Sequence, residues 1–332
     1  MKGRRVCWPE RGKVVLEAFE VGPPGPGQVL LRTEWTLISS GTEGASLMAL
    51  PNTPGRYPAR PGYNNVGRVA EVGPEVEGLA IGDRVAVQTG HASVAVVPAE
   101  RVVKVPEGLA MEEAVFFCMG AICLQGVRKA RVELGESVLV VGQGIIGNLA
   151  LQLARLDGGM PVIGADVDEG RLALSKRCGA DHVIDVTQGN LEEQVKALTD
   201  GKGADVVIEA TGSPEALVPA FQAAGWCARV ALLASTRGET PSVNFYRDVH
   251  KKGLVVIGAH NSVRPEREST AGFWTLREDT ETVLRLLAAG RLNVRDLTSV
   301  RLKAEEAPKG YQMVMERRRD VQGILLDWRD EK

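Results

Sequence analysis

Short, largely apolar runs recur through the middle of the chain, and stretches of helical periodicity separate them. Val138-Leu139-Val140-Val141, Pro161 to Ala165, His182 to Ile184, Asp205 to Glu209, Arg229 to Leu233 and Leu254 to Ile257 read as strands buried on both faces, the habit of a parallel sheet. After the first of them Ile146, Leu149, Ala150, Leu153 and Ala154 repeat on one helical face. A second helix is expected from Leu172 to Cys178 and another from near Pro214. Six strands alternating with helices between Gly135 and about Gly258 predict a six-stranded doubly wound α/β sheet. The N-terminal third differs. Short strands (Val29 to Glu34, Gly67 to Val72, Arg84 to Val87, Ser93 to Pro98) alternate with turns such as Gly22-Pro23-Pro24-Gly25-Pro26-Gly27, which predicts an irregular, mainly β domain. After Asn261 come helices around Asp279 to Ala289 and Ala307 to Glu316. The last strand, Gln322 to Asp327, is expected to return to the first domain.

Bulk properties narrow the function classes. A chain of 332 residues is long enough for two domains with separate cores. A formal charge of −2 gives no electrostatic reason to expect nucleic acid or an acidic membrane as partner. Arg317-Arg318-Arg319 is the one dense basic run, and a solvated helix face accounts for it. No apolar stretch approaches the ~20 residues that span a bilayer. The basic start Met1-Lys2-Gly3-Arg4-Arg5 has no hydrophobic segment behind it, so a cytoplasmic protein is expected. Five scattered cysteines, Cys7, Cys118, Cys123, Cys178 and Cys227, suggest neither a disulfide framework nor a Cys-x-x-Cys metal clip.

The most specific local signal is Gly142-Gln143-Gly144-Ile145-Ile146-Gly147 directly after the strand at Val138 to Val141. Gly142 permits a tight turn, Gly144 admits a pyrophosphate, and Gly147 is expected to let the helix pack on the strand. The positive end of the helix dipole then faces the phosphates. Asp166 ends the next strand, 19 residues past Gly147, where a carboxylate can accept hydrogen bonds from the adenosine ribose. A 2′-phosphate would meet like charge there, so the expected cofactor is NAD. Gly142, Gly144, Ile145, Ile146, Gly147 and Asp166 form the expected cofactor set, joined by Thr211 after the fourth strand and Ala259 after the sixth.

In order along the chain, Gly67-Arg68-Val69-Ala70-Glu71-Val72-Gly73, Gly82-Asp83-Arg84-Val85, Val105-Pro106-Glu107-Gly108 and the Gly142 loop resemble the medium-chain dehydrogenase/reductases. These include zinc-type alcohol and polyol dehydrogenases and zinc-free quinone and enoyl reductases. The resemblance implies a GroES-like catalytic domain, 1–120 with 261–332, split around a Rossmann domain, 121–260, with the active site in the cleft. It also implies a homodimer through the Leu254 to Ile257 edge strand, or a homotetramer, acting on a small molecule.

The departures from the family pattern carry as much information. Zinc relatives have Cys-Gly-x-Asp where this chain has Ser40-Gly41-Thr42-Glu43, and Gly-His-Glu where it has Gly62-Tyr63-Asn64. Only Cys118 matches a remaining ligand position, and the four-cysteine lobe of the structural zinc is missing. Hydroxyl, phenol and amide are poor Zn²⁺ ligands, so no metal is expected at either place. By the same resemblance Thr42 hydrogen-bonds the substrate oxygen and relays its proton. Tyr63, in the place of a ligand histidine, becomes a candidate catalytic phenol. Glu43 orients Tyr63 or a nearby base, or pairs with an arginine. His260 joins the catalytic candidates as a proton acceptor, while Ser40, Glu43, Asn64, His91 and Asn261 form the expected substrate set. Arg171 matches a basic residue beside the adenosine, and Trp274 is a candidate pocket wall. The leading expectation is therefore a zinc-independent NAD-dependent dehydrogenase acting on a secondary hydroxyl of a sugar, cyclitol or polyol. An NAD(P)H-dependent enoyl or quinone reductase and a non-catalytic NAD-binding protein are the alternatives.

Overall fold

The computed structural model describes residues 1–240 and 242–331. It consists of two compact units, one of Met1–Cys118 with Thr280–Lys332, the other of Met119–Asp279. The return to the first unit thus falls at 279/280, where 260/261 was expected. Polar anchoring explains the difference. Arg264 donates to the Ala121 carbonyl at 2.7 Å and to Asn261 Oδ1 at 2.9 Å, and it also pairs with the fully buried Asp279. Arg128 binds the other oxygen of Asp279. The segment after the last strand is thereby tied to the helix Phe117–Ala130 and stays with the second unit.

The second unit is the predicted doubly wound sheet. Its strands run in the order His182–Asp185, Val162–Asp166, Val138–Val141, Ala204–Glu209, Ala224–Leu232, Val255–Gly258, and every neighbouring pair is parallel. The strand order reverses between Val138–Val141 and Ala204–Glu209, the place where such sheets bind ligands at their carboxyl ends. Leu139, Ile163, Val207 and Val230 are fully buried there, which is why the runs read as continuously apolar. Two helices were not legible. Leu191–Leu198 lies in a mixed polar stretch and is set by its Asn190 cap, which accepts from Glu193 N–H. Phe117–Ala130 contains Gly120 and Gly126 and little polar contrast.

In the first unit one sheet runs Thr298–Lys303, Gly323–Asp327, Gln28–Ile38, Asn65–Val72, Arg84–Val87, Val103–Lys104, with Val94–Pro98 also pairing with Gln28–Ile38. The last strand does return to this unit, antiparallel to Gln28–Ile38 with Ile324 opposite Ile38. Val6, Trp8, Leu47, Tyr311, Ile324 and Trp328 fill the core beside it. A two-stranded ribbon of Lys2–Cys7 and Val15–Glu20 escaped the sequence reading because Lys2, Arg4 and Arg5 hide its alternation. Among the described residues no helix is long and apolar enough to cross a membrane.

Candidate active site

The glycine loop of the second unit has the geometry of a dinucleotide cradle. Gly142 has φ +91°, a left-handed conformation strained for any side chain, and a Cβ there would lie 2.8 Å from Thr211 Cγ2. Gly144 immediately precedes the helix Ile145–Leu156. A Cβ on it would meet nothing within 4 Å, so open space lies before the first free N–H groups of the helix. That combination fits a pyrophosphate. At Gly147 a Cβ would fall 1.7 Å from the Gly142 carbonyl oxygen and 3.4 Å from Ala210 Cβ. The missing side chain lets the helix close on the residues that directly follow the strands Val138–Val141 and Ala204–Glu209.

Asp166 stands at the expected strand end, but its carboxylate is already engaged. Oδ2 accepts the Gln143 N–H at 2.6 Å, and Oδ1 accepts the N–H groups of Val167 and Asp168 at 2.8 and 3.0 Å. Arg171 reaches Oδ2 only at 3.9 Å, and its buried Nε has no partner. Thr211 is exposed, and both its N–H and its hydroxyl donate to Glu209 Oε1. Burial pushes the Glu209 carboxyl above its ordinary range, against those two donors. Ala259 is buried, with its carbonyl accepting from Gln125. His260 is exposed, with Nδ1 2.7 Å from Ser262 Oγ, and Asn261 is occupied by Arg264. Trp274 lies 4.3 Å from the Arg128 guanidinium. All of these belong to the second unit.

The first unit brings a different group together. Ser40-Gly41-Thr42-Glu43 opens the eight-residue helix Ser40–Leu47. Tyr63 arrives from the segment before Asn65–Val72 and donates its hydroxyl to Ser39 Oγ at 2.5 Å, and Thr42 on the following helix is exposed. Loss of water around that hydroxyl drives the phenol well above the usual tyrosine range, and the charges of Cys118 and Glu43 add to the effect. Glu43 points the other way. Its Oε1 accepts the Ser39 N–H at 2.9 Å, while Oε2 meets His91 Nε2 at 2.9 Å and takes the Tyr311 hydroxyl. Of the options the sequence left for Glu43, the structure shows a direct contact with the imidazole of His91 and a link to Tyr63 through Ser39. His91 is buried, as is Asn64, whose Nδ2 reaches the Leu37 carbonyl at 3.3 Å. Ser40 Oγ donates to the Gln322 carbonyl at 3.3 Å. Neither Ser39 nor Tyr311 was singled out from the sequence. Ser39 abuts the motif and was within reach, whereas Tyr311 meets Glu43 across 268 positions and carries no local signal.

These donors do not suit a zinc ion. At the positions the resemblance gives to zinc ligands stand the Ser40 hydroxyl, which donates to the Gln322 carbonyl, the Tyr63 phenol, the Asn64 amide, whose Nδ2 reaches the Leu37 carbonyl while its buried Oδ1 has no partner, and Cys118 Sγ, which accepts from Gln88 Nε2 at 2.8 Å. A hydroxyl, a phenol and an amide are poor Zn²⁺ ligands, which leaves Cys118 as the one thiol at those positions.

Comparison with known proteins agrees with both units. Residues 25–107 match the family described as Alcohol dehydrogenase GroES-like domain, and residues 146–288 match Zinc-binding dehydrogenase. The chain is 31% identical over 330 residues to L-threonine 3-dehydrogenase of Pyrococcus furiosus, covering 89% of each. It is 28% identical over 254 residues to D-guloside 3-dehydrogenase of Escherichia coli, covering 76% of this chain and 72% of that one. Its fold matches benzyl alcohol dehydrogenase from Acinetobacter calcoaceticus with a TM-score of 0.85 at 20% identity, over 98% and 99% of the two chains. The chain belongs to the medium-chain dehydrogenase/reductase superfamily, in its zinc-type alcohol and polyol dehydrogenase-like branch.

Proposed function

We propose that this chain is a zinc-independent, NAD-dependent dehydrogenase that interconverts a secondary hydroxyl and its ketone on a sugar, cyclitol or polyol. The observation that carries the reading is the Tyr63 hydroxyl, held on Ser39 Oγ at 2.5 Å in the position the resemblance gives to a metal-ligand histidine. The dehydrogenase names of the two sequence relatives support chemistry at a carbon bearing a hydroxyl. When bound, a nicotinamide dinucleotide supplies the hydride acceptor or donor. The residues here must hold the substrate oxygen and move one proton. A phenol whose pKa is raised stays neutral at physiological pH, so Tyr63 serves as a hydrogen-bond donor and acid rather than as a phenolate base. In ketone reduction Tyr63 gives its proton to the developing alkoxide and takes one back along Ser39 and the solvent-exposed Thr42 from water. In alcohol oxidation the proton runs the reverse way, from the substrate hydroxyl through these hydroxyls to water. Preorganised donors of this kind do the work a Lewis acid does elsewhere.

The Gly144 cradle and the helix behind it would hold the pyrophosphate. Asp166 supports NAD over NADP, because its buried carboxylate opposes a 2′-phosphate. Arg171 weakens that preference but lies 3.9 Å from the carboxylate and is partly neutralised by it. A homodimer through the edge strand Val255–Gly258 is part of the same proposal: Val255 and Val256 are 53% and 40% exposed on it, and an open apolar edge invites a partner strand.

The test follows nicotinamide absorbance with chelator-treated protein. NAD⁺ is offered with sugars, cyclitols, polyols and L-threonine, and NADH with matching ketones, enones and quinones. Metal-free turnover on a hydroxyl compound is expected. Activity restricted to enones or quinones, or activity that returns only with added zinc, overturns the reading.

A further inference from the structure

The hydroxyl of Tyr311 adds nothing to the apolar packing around its ring. The side chain is fully buried on the helix Ala307–Met315, edge-on to Trp8 at 5.6 Å and to His91 at 6.3 Å. A phenylalanine would fill that space, yet the phenol oxygen is spent on Glu43. Glu43 and His91 are only 3% and 1% exposed. A carboxylate so buried is costly unless hydrogen bonds satisfy it. Here its two oxygens take three partners: Tyr311 and His91 on Oε2, and the Ser39 N–H on Oε1.

Ser39 joins this buried cluster to the proposed chemistry. Its backbone N–H is pinned by Glu43, whereas its Oγ makes no helix-capping bond and instead accepts from Tyr63. The helix Ser40–Leu47 is held down at the same place, since a Cβ on Gly44 would lie 2.5 Å from Val314 Cγ1 on the Tyr311 helix. An unbroken path therefore runs from the Tyr311 hydroxyl through Glu43 and the Ser39 backbone to the phenol of Tyr63. We propose that Tyr311 is a positioning residue that acts through Glu43 and Ser39 to fix the direction of the Tyr63 hydroxyl. This rests on the reading that Tyr63 acts on the substrate oxygen.

Tyr311→Phe deletes one oxygen and keeps the ring. It is expected to lower kcat about tenfold, short of the roughly hundredfold loss that follows a 1 Å misplacement of a reacting group. KM for substrate and Kd for NAD should stay within about twofold, the pattern of an interaction used only in the transition state. Combined with Tyr63→Phe, it should add no further loss. An independent readout uses 3-fluorotyrosine incorporated at the four tyrosines, with the Tyr63 resonance identified by its disappearance in Tyr63→Phe. In Tyr311→Phe that resonance should move; Glu43→Gln provides the same test should Tyr311→Phe fold poorly. A Tyr63 resonance unmoved in a folded variant overturns the proposal, as do additive losses in the double variant. Should Tyr63→Phe retain full turnover, the catalytic reading falls, and the fluorine shift alone then decides the coupling.

Discussion

The Asp166 carboxylate accepts the backbone N–H of Gln143 at 2.6 Å, so the acid expected to read the ribose also clamps the glycine loop. Charge and clamp can be separated. Asp166→Asn removes the charge and keeps one acceptor oxygen, its amide NH₂ replacing the other acceptor, and should improve NADP affinity relative to NAD about tenfold. Asp166→Ala also removes the clamp and should weaken both dinucleotides. Equal NAD and NADP affinities before and after Asp166→Asn, measured by titration calorimetry, would refute the discriminating role.

Tyr63→Phe should lower kcat by about a hundredfold, the lower range for general acid–base catalysis, and leave NAD affinity unchanged. The pKa of the phenol is raised by loss of water, so activity should not decline from its ionisation as pH passes about 10, where an ordinary tyrosine titrates. Steady-state rates across alkaline pH, limited to the range in which the protein stays folded, check both statements.

Asp279 lies between the guanidiniums of Arg128 and Arg264 and is itself fully buried. Asp279→Ala leaves two cations without their counterion and should cost about 3–5 kcal/mol of stability. Urea unfolding measures it. A loss under about 1 kcal/mol would mean that the pairs do not anchor the segment 261–275.

Asp327 accepts from both Arg329 and Lys303, and its carboxyl is held down at about 2, chiefly by the Arg329 hydrogen bond. A folded-state pKa below the unfolded value stabilises the protein above about pH 4, and that stability disappears as pH falls toward 2. With screening of the half-exposed arginine allowed for, the contribution is about 1–2 kcal/mol. Asp327→Asn should therefore destabilise the protein at pH 6, and its deficit should shrink by pH 2.5. A deficit independent of pH would point to packing instead.

Val255→Lys places a charge on the exposed edge strand at the proposed dimer contact. Sedimentation should shift from dimer to monomer. An unchanged dimer, or a wild-type monomer, would exclude pairing through this edge.

What the sequence by itself determined is whatever depends on neighbours in the chain. The strand Val138–Val141, the Gly142 turn and the helix from Ile145 adjoin one another, and each has its own periodicity or backbone requirement, so cradle and sheet were legible together. The hydroxyl, phenol and amide of Ser40, Tyr63 and Asn64, where the resemblance places zinc ligands, were legible for the same reason, because donor chemistry belongs to the residue. Partner choice was settled by tertiary structure. Glu43 faces His91 and Tyr311 across 48 and 268 positions, and no periodic pattern links residues so far apart. Burial also decided between equal options: it closed His91 and Asn64 inside the first unit and turned Asp166 toward its own loop. A buried polar atom takes whichever partner the fold brings within about 3 Å, and only the packed chain fixes which one that is.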